Sequence, residues 1–371
     1  MGEWKGNTRV NINRKGALAA ASTIAAVALV AACGSDGGGG TQTISGEGST
    51  AQQKAMEHFS KVLTDNGDIV LDYTGSGSGD GIKKFIAGDV DFAGSDSALS
   101  DAEAEKAKQR CSNNDAWHIP LVAGPVAIAY NLSGVSDLNL NPAVLAGIFD
   151  SKITKWNAPE IAALNPGKTL PDQAIVPVHR SDSSGTTDNF QRFLQASAPQ
   201  AWPYKHSKEF KGQGGSAAAK STGVGDTVKK TPGSITYVEW GFATENNLGV
   251  AALDFGAGPV KLSSETAGKA LDTVQFKTPG SNDLVVDTDA LFASKTAGSY
   301  PLLLTTYEIV CSTGYSDSQT STTLKDAFTT ILDKGQSGLA DLGYVPLPTS
   351  YKNTLQKTVD ALTGSSTSAS N

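Results

Sequence analysis

IPLVAGPVAIAY, residues 119–130, is long and apolar for a single strand, and Gly124 and Pro125 interrupt it midway. A second run, YPLLLTTYEIV, spans residues 300–310, with Pro301 near its start and Thr305 and Thr306 inside it. Strands in globular domains usually stop after about five or six residues. Apolar runs of this length, broken by Pro, Gly or Thr, therefore read as strands that leave one domain and enter another. Two such strands make two crossovers, and two crossovers imply two lobes with a cleft between them.

Around these runs the chain alternates short apolar strands with amphipathic segments. Residues 69–73, 90–93, 119–130, 175–178, 235–238 and 300–310 read as strands, and 51–63, 101–108, 142–149, 186–194 and 323–334 as helices. Strand followed by helix, repeated, predicts α/β layers with mainly parallel sheets. No internal repeat is visible, and whether the segment after Tyr351 forms a helix stays open.

The chain has 371 residues, of which 39% are hydrophobic and 18% charged, enough to bury a large core and to form more than one domain. Its formal charge is -7. Residues 1–32 contribute Lys5, Arg9, Arg14 and Lys15 against Glu3, so the remainder is more acidic still. A nucleic-acid binder is therefore not expected. Any anion bound here has to be held by local donors and dipoles against the overall field.

The N-terminus sets the compartment. Residues 16–32, GALAAASTIAAVALVAA, form an uncharged run behind a basic segment, the layout of a secretory signal. The end of that run, Val30-Ala31-Ala32-Cys33, resembles a bacterial lipobox, in which Cys33 is lipidated and becomes the first mature residue. The alternative, an uncut membrane anchor, suits a short alanine-rich run poorly. Residues 1–32 are thus expected to be a lipoprotein signal peptide, 33–42 a lipid-anchored flexible linker, and 363–371 a disordered tail. Cys111 and Cys311 remain, an even pair in an oxidising compartment, and a disulfide is expected in preference to two buried thiols. No CxxC or Cys/His cluster suggests a metal, and no cofactor is expected.

Four segments share one composition: GEGSTA (46–51), GSGSGDG (75–81), GSDSALS (94–100) and RSDSSGTT (180–187). Each places glycines and hydroxyls between a strand signal and a helix signal. The start of a helix presents unpaired N–H groups and the positive end of its dipole, a natural seat for an oxyanion. Ordinary helix capping explains any single such turn. Four together, one carrying Arg180 with its bidentate guanidinium, point to an anion site. Asp182 stands two residues on, either holding that guanidinium or capping the helix.

Enzyme motifs fail on their spacing. Ala162 occupies the position where a P-loop ending at Gly167-Lys168-Thr169 needs glycine, Asp80 stands where GxGxxG needs its last glycine, and no serine lies in GxSxG. His58, His118, His179 and His206 show no paired metal spacing, and His179, beside Arg180, reads as structural. Trp156, Ile161 and Leu164 read as core.

Taken in order, GEGSTA, DYTGSGSGDGIKKFIAGDVDFAGSDSALS, VLAGIFDSKITKWNAPEIAALNPGKTLP, HRSDSSGTTDNF and TPGSITYVEWGFATENN resemble the substrate-binding proteins of high-affinity, Pst-type bacterial phosphate ABC transporters. The resemblance runs from about Thr43 into the 340s. It implies a type II periplasmic-binding-protein fold with residues 43–123 and 304–362 in one lobe and 124–303 in the other. It also implies that Thr50, Ala51 through its backbone N–H, Ser78, Asp96, Arg180, Ser184, Gly185 and Thr186 contact phosphate, with Asp182 pairing Arg180. Ala51 stands where relatives often carry an aromatic residue and Thr236 where they commonly have glycine, a change for which the sequence offers no physical account.

Asp96 carries the expected selectivity. A carboxylate beside an anion is repulsive unless the ligand brings a proton, which phosphate does near neutral pH and sulfate does not. The expected protein is a monomeric receptor without catalysis, whose partners are phosphate, transmembrane permease subunits and, through Cys33, the membrane. A receptor for sulfate or molybdate, a secreted phosphatase using a hydroxyl such as Ser184, and a surface antigen on the same fold are the alternatives.

Overall fold

In a computed structural model the described residues are 41–363; the signal segment 1–32, Cys33 with nearly all of its tether, and the tail from Gly364 lie outside them. In chain order the first elements are β1 (Gln42–Gly48), α1 (Gln53–Asn66), β2 (Ile69–Gly75), α2 (Ser78–Ala87), β3 (Phe92–Ser95), α3 (Asp101–Arg110) and the long β4 (Ala116–Asn131). Next come β5 (Asn139–Leu140), α4 (Pro142–Phe149), α5 (Pro159–Leu164), β6 (Val176–Arg180), α6 (Gly185–Ser197), β7 (Ser216–Ala218), α7 (Lys220–Lys230), β8 (Ser234–Glu239) and α8 (Trp240–Glu245). The short β9 (Gly249–Val250), β10 (Ala252–Asp254), β11 (Pro259–Val260), α9 (Ser264–Leu271) and α10 (Thr288–Phe292) follow. Then β12 (Leu303–Cys311) leads to α11 (Ser318–Thr330) and α12 (Thr349–Ala361).

The larger sheet runs β2-β1-β3-β12-β4-β8-β6-β7, with β9 also beside β4. β4 is one strand with two sets of partners: residues 116–125 pair with β12, and 126–131 with β8. The chain therefore has two α/β lobes, each built on one part of this curled sheet. The sheet is mixed, not mainly parallel. β1 pairs in parallel with β2 and β3, and β6 with β7 and β8, but β12 is antiparallel to β3 and β4, and β4 to β8. The physical reason is connectivity: one crossover leads out and the other back, so the two strands at the junction run in opposite directions.

Burial follows from periodicity. On α1 the buried side chains are Ala55, Met56, Phe59 and Leu63, one stripe at helical spacing. β12 is buried along its whole length, as a strand covered on both faces must be. An aromatic group backs α6: Phe190 stacks on Tyr237 with centroids 4.3 Å apart, and Phe149 meets Phe190 edge-on at 4.8 Å. His179 is structural, stacked on Phe210 at 4.2 Å, and Trp156 and Ile161 are fully buried core.

Several element limits differ from the sequence reading. β3 begins at Phe92, not at residue 90, because Gly88 ends α2 in a left-handed cap and Asp91 is tied by its carboxylate to Ser45. β12 begins only at Leu303, after Pro301, which has no N–H for a ladder. α11 starts at Ser318, capped by Asp317, and gives way after Thr330 to a π-helical turn over Ile331–Gly335. The segment around Tyr351 is helical, as α12. Cys111 and Cys311 form a disulfide with Cα atoms 5.4 Å apart across a sequence separation of 200.

Candidate functional site

Each of the four glycine- and hydroxyl-rich segments lies where a strand gives way to a helix: β1 to α1, β2 to α2, β3 to α3 and β6 to α6. Since β1, β2 and β3 are parallel, as are β6, β7 and β8, the junctions of each group share one edge. The cap residues Gln52 of α1, Gly77 of α2 and Ala219 of α7 make no side-chain cap, so those helix starts keep donors in hand. At α6 the Ser184 hydroxyl does cap, accepting from the Thr187 N–H, and the Gly185 N–H donates to Ser78 Oγ at 3.2 Å.

Thr50, Ala51, Ser78, Asp96, Arg180, Ser184 and Thr186 are all buried, and hydrogen bonds link the turns after β1 and β2 to those at the starts of α6 and α7. Thr50 Oγ1 lies 2.8 Å from Ser221 Oγ and accepts from the Ser221 N–H. Arg180 in turn donates to Ser221 Oγ at 3.4 Å. Gly185 has no room for a side chain: a Cβ there would stand 2.4 Å from Ser78 Oγ and 2.7 Å from Asp96 Cβ.

Arg180 Nε donates to Asp182 Oδ1 at 2.7 Å and Nη2 to Oδ2, a two-point pair. Burial alone would raise the Asp182 carboxyl, but the guanidinium outweighs it and holds Asp182 below the usual carboxylate range. The Lys220 N–H donates to the same carboxylate. Arg180 is thereby oriented and already neutralised, so an anion would be met by oriented N–H and O–H dipoles more than by net positive charge.

Asp96 accepts from three hydroxyls: Ser49 at 2.6 Å, Thr306 at 2.8 Å and Ser78 at 3.3 Å. Its carboxyl is pushed up to about 6, chiefly by burial, with the charge of Glu239 adding and the hydroxyls of Ser49 and Thr306 opposing. Glu239, at the end of β8, accepts from the Thr186 hydroxyl at 2.7 Å, and its other oxygen is buried without a partner. Two acceptors thus face a ring of donors. Such a site suits a tetrahedral oxyanion carrying at least one proton.

Ser49 lies in the GEGSTA turn but was not singled out, and Ser221, Glu239 and Thr306 lie outside all four turns, yet the structure places them beside the candidate residues. Ser221 had a signal, since Gly214-Gly215, the short β7 and Lys220-Ser221-Thr222 repeat the glycine-then-hydroxyl pattern ahead of α7. Glu239 ends β8 and Thr306 sits inside β12, and only the fold turns them inward. Tyr344 donates to the Ala51 carbonyl at 2.7 Å, so an aromatic from the C-terminal segment packs where residue 51 itself is small. Thr236 is fully buried and donates to the Val178 carbonyl at 2.7 Å, which ties β8 to β6.

The fold and the cleft define a two-lobed ligand-binding protein of the periplasmic type. In keeping with this, the family model for the PBP superfamily domain matches residues 34–330. The chain is 44% identical to phosphate-binding protein PstS3 of Mycobacterium bovis, covering 95% of this chain and 100% of that one. It is 40% identical to PstS 2 of Mycobacterium tuberculosis, covering 93% and 98%. The chain belongs to the PstS-type phosphate-binding proteins. Among solved structures, the periplasmic phosphate-binding protein PfluDING, bound with phosphate, superposes with TM-score 0.69 at 26% identity, covering 85% of this chain and 93% of that one. A phosphate-binding protein from Stenotrophomonas maltophilia shares the fold, with TM-score 0.62 at 21% identity over 85% and 93%. The architecture is the type II periplasmic-binding-protein fold.

Proposed function

We propose that this protein is an extracytoplasmic receptor that binds inorganic phosphate in the interlobe cleft and delivers it to the permease subunits of an ABC importer. The observation that carries the reading is Asp96, a buried carboxyl set among donors where an anion is to bind. Phosphate near neutral pH presents a proton to it; sulfate presents only acceptors, and a buried acceptor facing an acceptor is the mismatch that gives discrimination by factors of about 10⁴ or more. The ligand set is Thr50, the Ala51 N–H, Ser78, Asp96, Arg180, the Ser184 hydroxyl, Gly185 and Thr186, with Asp182 behind Arg180 and Ser221 and Glu239 added to it.

The work is capture without catalysis. Ser184, the nucleophile a phosphatase reading needs, caps α6 with its hydroxyl and has its N–H taken by the Lys208 carbonyl, and among the described residues no His, Asp or Glu hydrogen-bonds to its hydroxyl. Residues 43–123 and 304–362 form one lobe and 124–303 the other, and closure bends β4 and the approach to β12. Lipid at Cys33 keeps the monomer at the extracytoplasmic face; among the described residues no helix is long and apolar enough to cross a membrane.

Calorimetric titration of the purified protein tests this, after stripping bound ligand by unfolding and refolding with the disulfide intact. One-to-one phosphate binding that excess sulfate does not displace is expected. A response to sulfate or molybdate in place of phosphate would overturn the assignment of ligand, and silence towards all of them would reduce the four turns to helix caps.

A further inference from the structure

Glu308 lies in the middle of β12, opposite Gly94 of β3 and Ile119 of β4, and is fully buried. Its Oε2 accepts from Gln52 Nε2 at 3.2 Å, while its Oε1 is buried with no donor. The Oε1 of Gln52, on the same amide that donates to Glu308, is also buried with no donor. Two orphaned acceptors on partnered groups are costly, and one proton on the acid removes the shortage by making it a donor. Among the described residues no cation offsets an ionised form: burial first and the like charge of Asp96 raise the Glu308 carboxyl well above the ordinary range, with the Gln52 amide opposing them.

The contact leads to the cradle. Gln52 Nε2 also donates to the Tyr73 hydroxyl at 3.1 Å, and that hydroxyl donates to the Ser49 carbonyl at 2.8 Å. Ser49 in turn donates to Asp96. The groups facing Glu308 are therefore Gln52 ahead of α1, Tyr73 on β2 and Asp96 after β3; on β4, His118 beside Ile119 is engaged with Asp283 and Leu99 instead.

We propose that Glu308 is a protonated positioning residue, paired acid-to-amide with Gln52, that holds the Ser49–Gln52 turn in place for phosphate and weakens binding when it ionises. This rests on the phosphate reading above. The sign follows from linkage: an anion binds better to the form that carries the extra proton, so affinity is full while Glu308 is neutral and falls as pH rises through its ionisation. Glu308→Gln supplies a permanent donor of the same shape and removes that fall.

The test is calorimetric titration of the full chain with phosphate from neutral to alkaline pH, alongside infrared spectroscopy of the wild type. Wild-type affinity is expected to fall by up to about tenfold per pH unit on the alkaline side. Glu308→Gln is expected to stay within about threefold of wild type at neutral pH and to show a flat profile, a rescue that a purely structural role for a charged acid would not permit. A protonated-carboxyl band persisting at about pH 8, where Asp96 is ionised, identifies the neutral acid without any ligand or variant. Absence of that band, or the same alkaline fall in Glu308→Gln, overturns the proposal. Loss of phosphate binding at every pH with the band present would instead strike the phosphate reading itself, and with it the link from the pair to affinity.

Discussion

On the proposed reading, Asp96 ties selectivity and stability to one side chain. In Asp96→Asn the amide offers a donor to any oxyanion, so sulfate, which the wild type is expected to reject, is expected to compete with phosphate. Competition calorimetry checks this, and unchanged rejection of sulfate would sink the account of selectivity. The stability consequence has a definite sign. The folded carboxyl titrates at about 6 against an ordinary 3.8, so the folded chain holds this proton more tightly than the unfolded one. The stability it brings is full below the unfolded value and is lost as pH rises through 6. Urea unfolding of ligand-stripped protein at acidic and neutral pH is therefore expected to show Asp96→Asn spared a loss of up to about 3 kcal/mol. Arg180 and Asp182 were legible side by side because two residues of spacing bring them together in any turn. Glu239 was not, since a carboxylate at a strand end reads as surface until its neighbours are known.

At the scale of elements, α6 is the clearest case. Ser184, Gly185 and Thr186 announce a helix start in sequence, and Pro142–Phe149 announces α4 with a capping Asn141 and Pro at the first helical position. What residue type and spacing do not announce, apart from the family resemblance, is that α6 begins against Ser78 and Asp96. A methyl group at Gly185 overlaps both, so Gly185→Ala is expected to hold the lobes apart. Phosphate affinity should drop about 10- to 100-fold in calorimetry, the equivalent of about 1–3 kcal/mol. The thermal midpoint of the stripped protein should change little, because the clash lies between lobes and not within one. A variant that binds as tightly as wild type would mean the close approach is not required.

For the whole molecule, the disulfide and the crossovers decide the connectivity. Cys111 follows α3 and Cys311 ends β12, so the bond ties the returning strand to the lobe from which β4 departs. It closes a loop spanning a sequence separation of 200, and the double replacement Cys111→Ser with Cys311→Ser is expected to cost about 3–5 kcal/mol in urea unfolding. Because both cysteines sit away from the cradle residues, phosphate affinity at moderate temperature is expected to be kept. The opposite pattern, full stability with lost binding, would place the bond in the site and not in the frame. The same two crossovers make the sheet mixed, a feature that strand-by-strand reading missed because it sees each strand's length and polarity but not its neighbour's direction.

The sequence by itself determined the local chemistry: glycine and hydroxyl turns ahead of helices, the Arg180 and Asp182 spacing, the paired cysteines and the two overlong apolar runs. Each of these is set by residue type and short-range geometry, which a chain carries wherever it folds. Only the tertiary structure decided that Ser221, Glu239 and Thr306 lie against the candidate site residues, that Tyr344 packs beside Ala51, and that Glu308 meets Gln52, distant in sequence. Such contacts depend on which strands become neighbours and on which face of each is turned inward, and burial then gives buried carboxyls their altered proton affinity.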